Sequence, residues 1–424
     1  MTELNELSAL AARQGLQQKR FSAEELWAAC DRRIGLREAT IGAFIHYDAA
    51  TARRQAQACD AGQQAGALHG LPFGVKDIID TTDAPTGYGS RIYVGHRPAW
   101  DAGVVAAIRL AGAVVMGKTV TTEFAYRTAG KTANPHNPAH SPGGSSSGSA
   151  AAVADHMLPL AFGSQTGGSV IRPAAYCGVV GYKSSFGAWT LAGVKPMCHS
   201  LDSLGVFARQ VADLPLVRAA LAGGPDKIAA LERPPRVGLC RTFDWPKVET
   251  CMQSALEAAG QTLARNGAEV RDLPLPGAFD GLGYAHATIM TYEMARNYAF
   301  EGARHREKLS PPLAQTIDDG WKVPLPDYLE AQALAKRCRA QLDEICQEYD
   351  VLLAPGAPGE APEGLHATGD PVMNRSWTLL HVPAVNLPGY KGPRGLPLGL
   401  QAIRPQGDDD RLLQVAAWME QRIR

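Results

Sequence analysis

The stretch Leu160-Ala161-Phe162-Gly163-Ser164-Gln165-Thr166-Gly167-Gly168-Ser169-Val170-Ile171-Arg172-Pro173-Ala174 passes from apolar residues through small and polar ones into a helix start. Leu160–Phe162 reads as a strand and Gly163–Ser169 as a loop. Pro173 suits a first helical turn, where its missing N–H would have no partner, and Gly178 suits that helix's stop. A Gly-rich loop running into a helix N-terminus gathers main-chain N–H groups at one point. Thr166, Gly167, Gly168 and Ser169 therefore offer successive donors to an oxygen on which negative charge develops, beside a serine hydroxyl. The sequence has no G-x-x-x-x-G-K-[ST] and no G-x-G-x-x-G opening a helix after a strand, so a nucleotide ligand is weakly supported.

Upstream lies a second loop rich in small residues, 128–149, whose densest part is Ser141-Pro142-Gly143-Gly144-Ser145-Ser146-Ser147-Gly148-Ser149. An Ala-rich helix from Ala150 follows and Pro159 ends it. Further upstream, Gly70-Leu71-Pro72-Phe73-Gly74-Val75-Lys76-Asp77 reads as a strand arriving at Lys76. A helix over 103–111 and the strand Ala113–Gly117 come between. Helix alternating with apolar strand is the pattern of an α/β fold. The first 60 residues read as helical, with a capping box at Ser22 and Glu25. Downstream, Val179–Tyr182 reads as a strand, and 210–330 as mainly helical with a strand at Val237–Leu239 and no motif of chemical content. A helix over 327–349, a strand Val351–Pro355, a loop to 370, a strand 398–403 and a helix 410–419 close the chain. Both loops sit inside one α/β run without a change of composition, which favours close backbone approach to a ligand over flexible linkers.

Lys plus Arg total 42 and Asp plus Glu total 42, so the formal charge is zero. Nothing in that balance asks for nucleic acid or an anionic membrane surface. The N-terminus shows no basic-then-apolar signal pattern, and no apolar run is long enough for a membrane span. The eight cysteines are scattered without a C-x-x-C pair, which fits a cytoplasmic chain with reduced thiols. The histidines show no paired ligand spacing, so neither a metal nor a cofactor is expected.

A serine needs a base to become a nucleophile near neutral pH. Neither Gly/Ser loop contains a histidine that fits. Residues 144–148 satisfy G-x-S-x-G around Ser146, but Pro138-Ala139-His140-Ser141-Pro142 precedes it in place of the apolar strand a nucleophile elbow requires. A lysine serves if burial lowers its pKa, and Lys76, at the end of an apolar strand, is the candidate. Its competing reading is a solvated strand terminus paired with Asp77.

Three ordered segments, Gly70-x-Pro72-x-x-x-Lys76-Asp77, Pro142–Ser149 and Gly163–Ala174, with Ser145 and Ser169 separated by 169 − 145 = 24 positions, resemble the amidase signature family. The similarity continues through Ser200-Leu201-Asp202, Tyr349–Leu353 and Leu396–Gln401 and thins between about 210 and 330. It implies one catalytic domain over 1–424, with 210–330 as a variable helical segment. The implied fold is a large mixed, mostly parallel sheet covered by helices on both faces. The implied site is a Ser–Ser–Lys triad: Ser169 as nucleophile, Ser145 as bridging serine after a cis Gly144–Ser145 bond, and Lys76 as neutral base. The implied oxyanion hole is formed by the N–H groups of Thr166, Gly167, Gly168 and Ser169.

Within that family Gln165–Arg172 is most similar to malonamidase, which implies that Arg172 clamps a substrate carboxylate with Ser164 and Gln165 nearby. The competing role for Arg172 is a structural ion pair at a helix start. The expected partner is a small-molecule amide, with no nucleic acid and no membrane, and homodimerisation is implied only by family analogy. Gln165 stands where many relatives, including tRNA-dependent amidotransferase subunits, carry Asp. That departure weighs against the main alternative, an ammonia-donating component of an amidotransferase. An amidase for uncharged aliphatic or aryl amides is the other.

Overall fold

Eleven strands form one sheet in the computed structural model, which describes residues 3–423. They are β1 (Phe44–Tyr47), β2 (Pro72–Lys76), β3 (Val114–Thr119), β4 (Leu160–Gln165), β5 (Val180–Lys183), β6 (Ser203–Ala208), β7 (Arg236–Cys240), β8 (Glu269–Leu273), β9 (Val351–Pro355), β10 (Ala384–Lys391) and β11 (Pro397–Ile403). Their spatial order is β1-β3-β2-β4-β6-β5-β10-β11-β9-β7-β8. Every residue of β2, β3, β4 and β6 is buried, which explains why these strands read as apolar or small-residue runs rather than as alternating patterns.

The sheet is mixed, as expected, but it is not mostly parallel. Only β2–β3, β2–β4, β7–β8 and β7–β9 pair in parallel. The other six pairings are antiparallel. The physical reason lies in the connections. The chain reverses through a short hairpin between β10 and β11 and through a helix-free loop between β5 and β6. Helix–strand alternation in the sequence suggests crossovers, which these two links do not make.

The parallel pair β2–β4 positions the site. Phe73 lies opposite Leu160 and Gly74 opposite Ala161, so both strands deliver their carboxyl ends to the same edge of the sheet. That edge is where open α/β sheets place ligands. The chain leaves β4 through Thr166–Ser169 and enters the helix Ile171–Cys177, which packs on β5, β10 and β11. Gly178 ends this helix in the left-handed conformation, φ 67°. The other contributing helix, Ser147–Ala154, is buried along nearly its whole length.

The segment 210–330 is stitched into the same sheet, because β7 pairs with β9 as well as β8. It also supplies the helix Leu282–Asn297, which packs against the helices Pro311–Lys322, Leu325–Glu348 and Val372–Leu379. The capping box at Ser22 and Glu25 forms at the start of the helix Ala23–Ile41. No helix among the described residues is long and apolar enough to cross a membrane. The cysteines are free, and all but Cys251 are buried.

Candidate active site

Lys76 ends β2 and is fully buried. Its Nζ lies 2.7 Å from Ser145 Oγ, 2.9 Å from Ser164 Oγ and 3.3 Å from the Ser164 carbonyl oxygen. Burial pushes the Lys76 pKa well below its ordinary 10.5, opposed in part by the negative charge of Asp202. Asp77 does not pair with Lys76. It faces the buried Lys118 at 3.3 Å, so the solvated-terminus reading of Lys76 does not hold. The amine therefore sits among hydroxyl and carbonyl oxygens, with no carboxylate in contact to hold it charged.

Ser145 is also fully buried, and the Gly144–Ser145 peptide is cis. The Ser145 carbonyl accepts from the Thr122 N–H at 3.2 Å, which ties this loop to the chain beyond β3. Gly148 allows the following helix to approach: a Cβ there would lie 2.1 Å from the Ala43 carbonyl oxygen. Ser146, the centre of the G-x-S-x-G match, is fully buried, with its Oγ 3.3 Å from both the N and the O of Ser164. That hydroxyl is used inside the core, so the nucleophile-elbow reading fails.

Ser169 is 9% exposed and lines a cavity of about 800 Å³ together with Thr166, Gly167, Gly168 and Arg172. The three carbonyls before Ser169 all point into the protein. The Thr166 oxygen accepts from His286 Nε2 at 2.8 Å, the Gly167 oxygen from Thr378 Oγ1 at 2.7 Å, and the Gly168 oxygen from the Arg172 N–H at 3.0 Å. Among the described residues, the N–H groups of Thr166, Gly167, Gly168 and Ser169, the four expected donors, donate to no protein acceptor. The Thr166 side chain donates to Asp202 at 2.5 Å. Burial raises the Asp202 pKa to about 6.

Arg172 lines the same cavity but is almost entirely buried. Its Nη2 donates to the Gly144 carbonyl at 2.7 Å and to Thr368 Oγ1 at 3.2 Å, while Nε and Nη1 have no partner. It makes no ion pair among the described residues, contrary to the reading of Arg172 as a salt-bridge anchor. Burial lowers its pKa to about 10, which leaves it charged near neutrality. Ser164 and Gln165 are placed elsewhere. Ser164 sits on Lys76, and Gln165 accepts from the Val170 and Ile171 N–H groups while donating to Thr378. Neither lines the cavity.

Three residues at the site, His286, Thr378 and Asn374, carry no signal in the sequence, and a fourth, Asp202, is marked there only by the family similarity and not as a loop anchor. A Cβ on Gly168 would lie 2.3 Å from Asn374 Oδ1, so this asparagine dictates glycine at 168. Each comes from an element distant in sequence, and only the Ser200-Leu201-Asp202 match draws attention to any of them.

The family model for amidases matches residues 25–413. The chain belongs to the amidase family. It is an amidase, a hydrolase of carbon–nitrogen amide bonds. It is 33% identical to one component of the glutamyl-tRNA(Gln) amidotransferase of Anaeromyxobacter sp. (strain K), across 99% of this chain and 97% of that protein. Among solved structures, it matches a crystal structure of an amidase with TM-score 0.90 and 29% identity, covering 99% of this chain and 100% of the other. The peptide amidase from Stenotrophomonas maltophilia matches with TM-score 0.83 and 28% identity, covering 99% and 97% respectively.

Proposed function

We propose that this amidase cleaves a small carboxamide that carries a carboxylate, malonamate-like in form, through a Ser169 acyl-enzyme. The observation that carries the carboxylate is Arg172. A buried guanidinium in the cavity wall with two unsatisfied nitrogens is costly unless a ligand completes it, and its planar fork suits a carboxylate.

In this reading Lys76 is a neutral base. A neutral amine has two N–H bonds and one lone pair. The two Ser164 oxygens take the N–H bonds, and the lone pair is left for the Ser145 hydroxyl. Ser164 thus aims the base and does not touch substrate. Ser145 passes its proton to Lys76 while taking one from Ser169, and Ser169 Oγ bonds to the amide carbon. The N–H groups of Thr166, Gly167, Gly168 and Ser169 are the donors to the oxygen on which the negative charge collects. As that oxygen re-forms the carbonyl, the C–N bond breaks and the relay returns the proton to the departing nitrogen. Water then attacks the ester, losing its proton along the same route, and Ser169 is released with the acid.

The test is turnover of malonamate, simple aliphatic amides and aryl amides by wild type and Arg172→Met. Loss confined to the carboxylate-bearing amide supports the reading, and equal loss on all three refutes the clamp. A second reading, a component of an amidotransferase, is favoured by the 33% identity across nearly the whole of such a protein. Ammonia release from glutamine by the purified chain would favour it.

A further inference from the structure

We infer that His286 and Thr378 are positioning residues that aim the Gly167 and Gly168 N–H groups at the reacting oxygen. This rests on the reading of the 166–169 loop as an oxyanion site and extends it to two side chains that hold the carbonyls of that loop. In a planar trans peptide, a carbonyl and the N–H that follows it point in opposite directions. Fixing the Thr166 oxygen therefore fixes the direction of the Gly167 N–H, and fixing the Gly167 oxygen fixes that of the Gly168 N–H. The donors are His286 Nε2 at 2.8 Å and Thr378 Oγ1 at 2.7 Å.

The loop needs such pins because Gly167 and Gly168 impose little conformational preference of their own. A flipped peptide would turn a carbonyl oxygen toward the developing charge in place of an N–H. The third carbonyl needs no side chain, since the helix that starts at Ile171 supplies the Arg172 N–H.

Proton positions follow from the partners. A carbonyl only accepts, so His286 carries its hydrogen on Nε2, and the buried Nδ1 makes no hydrogen bond. Gln165 Oε1 accepts from the Val170 and Ile171 N–H groups, which orients its amide so that Nε2 donates to Thr378 Oγ1 at 3.0 Å. With its oxygen accepting from Gln165, Thr378 turns its own hydrogen to the Gly167 oxygen. Gln165, expected from the resemblance to lie near substrate, is thus a link in the pin.

His286 is itself held. Its helix, Leu282–Asn297, buries Glu293, which accepts from the Ser200 N–H at 3.0 Å and from Tyr328 Oη at 2.9 Å. Asn297 Nδ2 donates to the Met197 carbonyl at 2.9 Å. The same loop carries Asp202, which accepts the Thr166 hydroxyl and the Met197 and Cys198 N–H groups. Thr166 is therefore gripped at its carbonyl and its hydroxyl by two elements that are bonded to each other.

The experiment compares wild type with His286→Phe, which keeps the ring volume without the donor, His286→Gln, which restores an N–H near the Nε2 position, and Thr378→Val. Two readouts are taken: kcat and KM on an aryl amide, and the rate at which a fluorophosphonate labels Ser169. Loss of a donor's aim is expected to lower kcat by about 100-fold in His286→Phe with KM changed less than about threefold, and to slow labelling in parallel. His286→Gln is expected to recover at least about a third of the wild-type kcat, which a packing role would not produce. Thr378→Val is expected to lose about 10- to 100-fold, and it decides the matter should His286→Phe fail to fold. Unchanged labelling and kcat in folded His286→Phe and Thr378→Val overturn the inference while leaving the Ser169 reading intact. A wild-type enzyme that the reagent does not label at Ser169 overturns the reading of the site and the inference with it.

Discussion

Replacing Lys76 with Met tests the neutral-base assignment through stability as well as rate. Met fills nearly the same volume and cannot carry charge. In the folded chain the Lys76 pKa lies well below 10.5 because burial disfavours the ammonium, while in the unfolded chain it returns to its ordinary value. Between those two values the unfolded chain binds more protons than the folded one, so wild-type stability rises with pH across that window. The cost of burying Lys76 is greatest below the lowered folded pKa and disappears above 10.5. Lys76→Met removes the cost. Its stability advantage over wild type should therefore shrink by about 1.4 kcal/mol for each pH unit within the window. The hydrogen bonds that Ser145 and Ser164 lose add a penalty of about 1–3 kcal/mol that does not depend on pH. Urea unfolding of both proteins at a series of pH values descending from 10.5 reads the slope, because titrating groups that do not interact with Lys76 cancel in the difference. In the same variant kcat should fall by about 10²- to 10⁴-fold. A stability difference that stays flat with pH would mean that Lys76 titrates normally in the folded protein, and the neutral-base argument would fail.

Ser169→Ala should lower kcat by about 10⁴- to 10⁶-fold with the unfolding midpoint unchanged, checked by activity and circular dichroism on one preparation. Arg172→Met should raise KM for a carboxylate-bearing amide by about 10- to 100-fold, corresponding to a lost charge-assisted contact, and leave uncharged amides within about threefold. Gly168→Ala should cost about 1–3 kcal/mol of stability and most of the activity, because the new Cβ would meet Asn374 Oδ1 at 2.3 Å. Gly168→Ala combined with Asn374→Ala should recover the stability, measured by urea unfolding.

Much of this arrangement was legible in the sequence wherever a local rule applied. The strand ending at Lys76, the helix stop at Gly178, the capping box at Ser22 and the strand at 351–355 each depend on neighbouring residues only. Four strands were not. β1 is four residues long with a break in its register, too short to show a period. β6 carries Gly205 within a run of mixed polarity, and glycine usually weakens a strand. Here it is required, since a Cβ would lie 2.5 Å from the Tyr182 carbonyl oxygen on the neighbouring strand. β8 is largely exposed, and β10 contains Pro388 at an irregularity of its register, so neither presents a clean period. The Lys76 environment shows the same boundary. Its position at a strand end could be read from sequence. That Asp77 would turn to Lys118 and leave Lys76 to three oxygens depends on a contact with β3.

The division of labour at the site follows from that boundary. The proposed reacting groups lie at the end of β2 and on the loops that leave β3 and β4 at one edge of the sheet, so their types and spacing survive as motifs. The groups that fix them arrive from 197–202, 282–297 and 372–379, and a motif cannot record contacts made across such distances. Electrostatic stabilisation depends on donors being held before the charge appears, since a loop that reorients during the reaction gives back much of what it gains. A loop of two glycines cannot hold itself. If the pins act as proposed, the helix Leu282–Asn297, from a segment with no chemical motif, shares control of the rate with the proposed nucleophile Ser169. Variation in that helix should alter kcat as well as substrate choice, even where no altered residue touches the substrate.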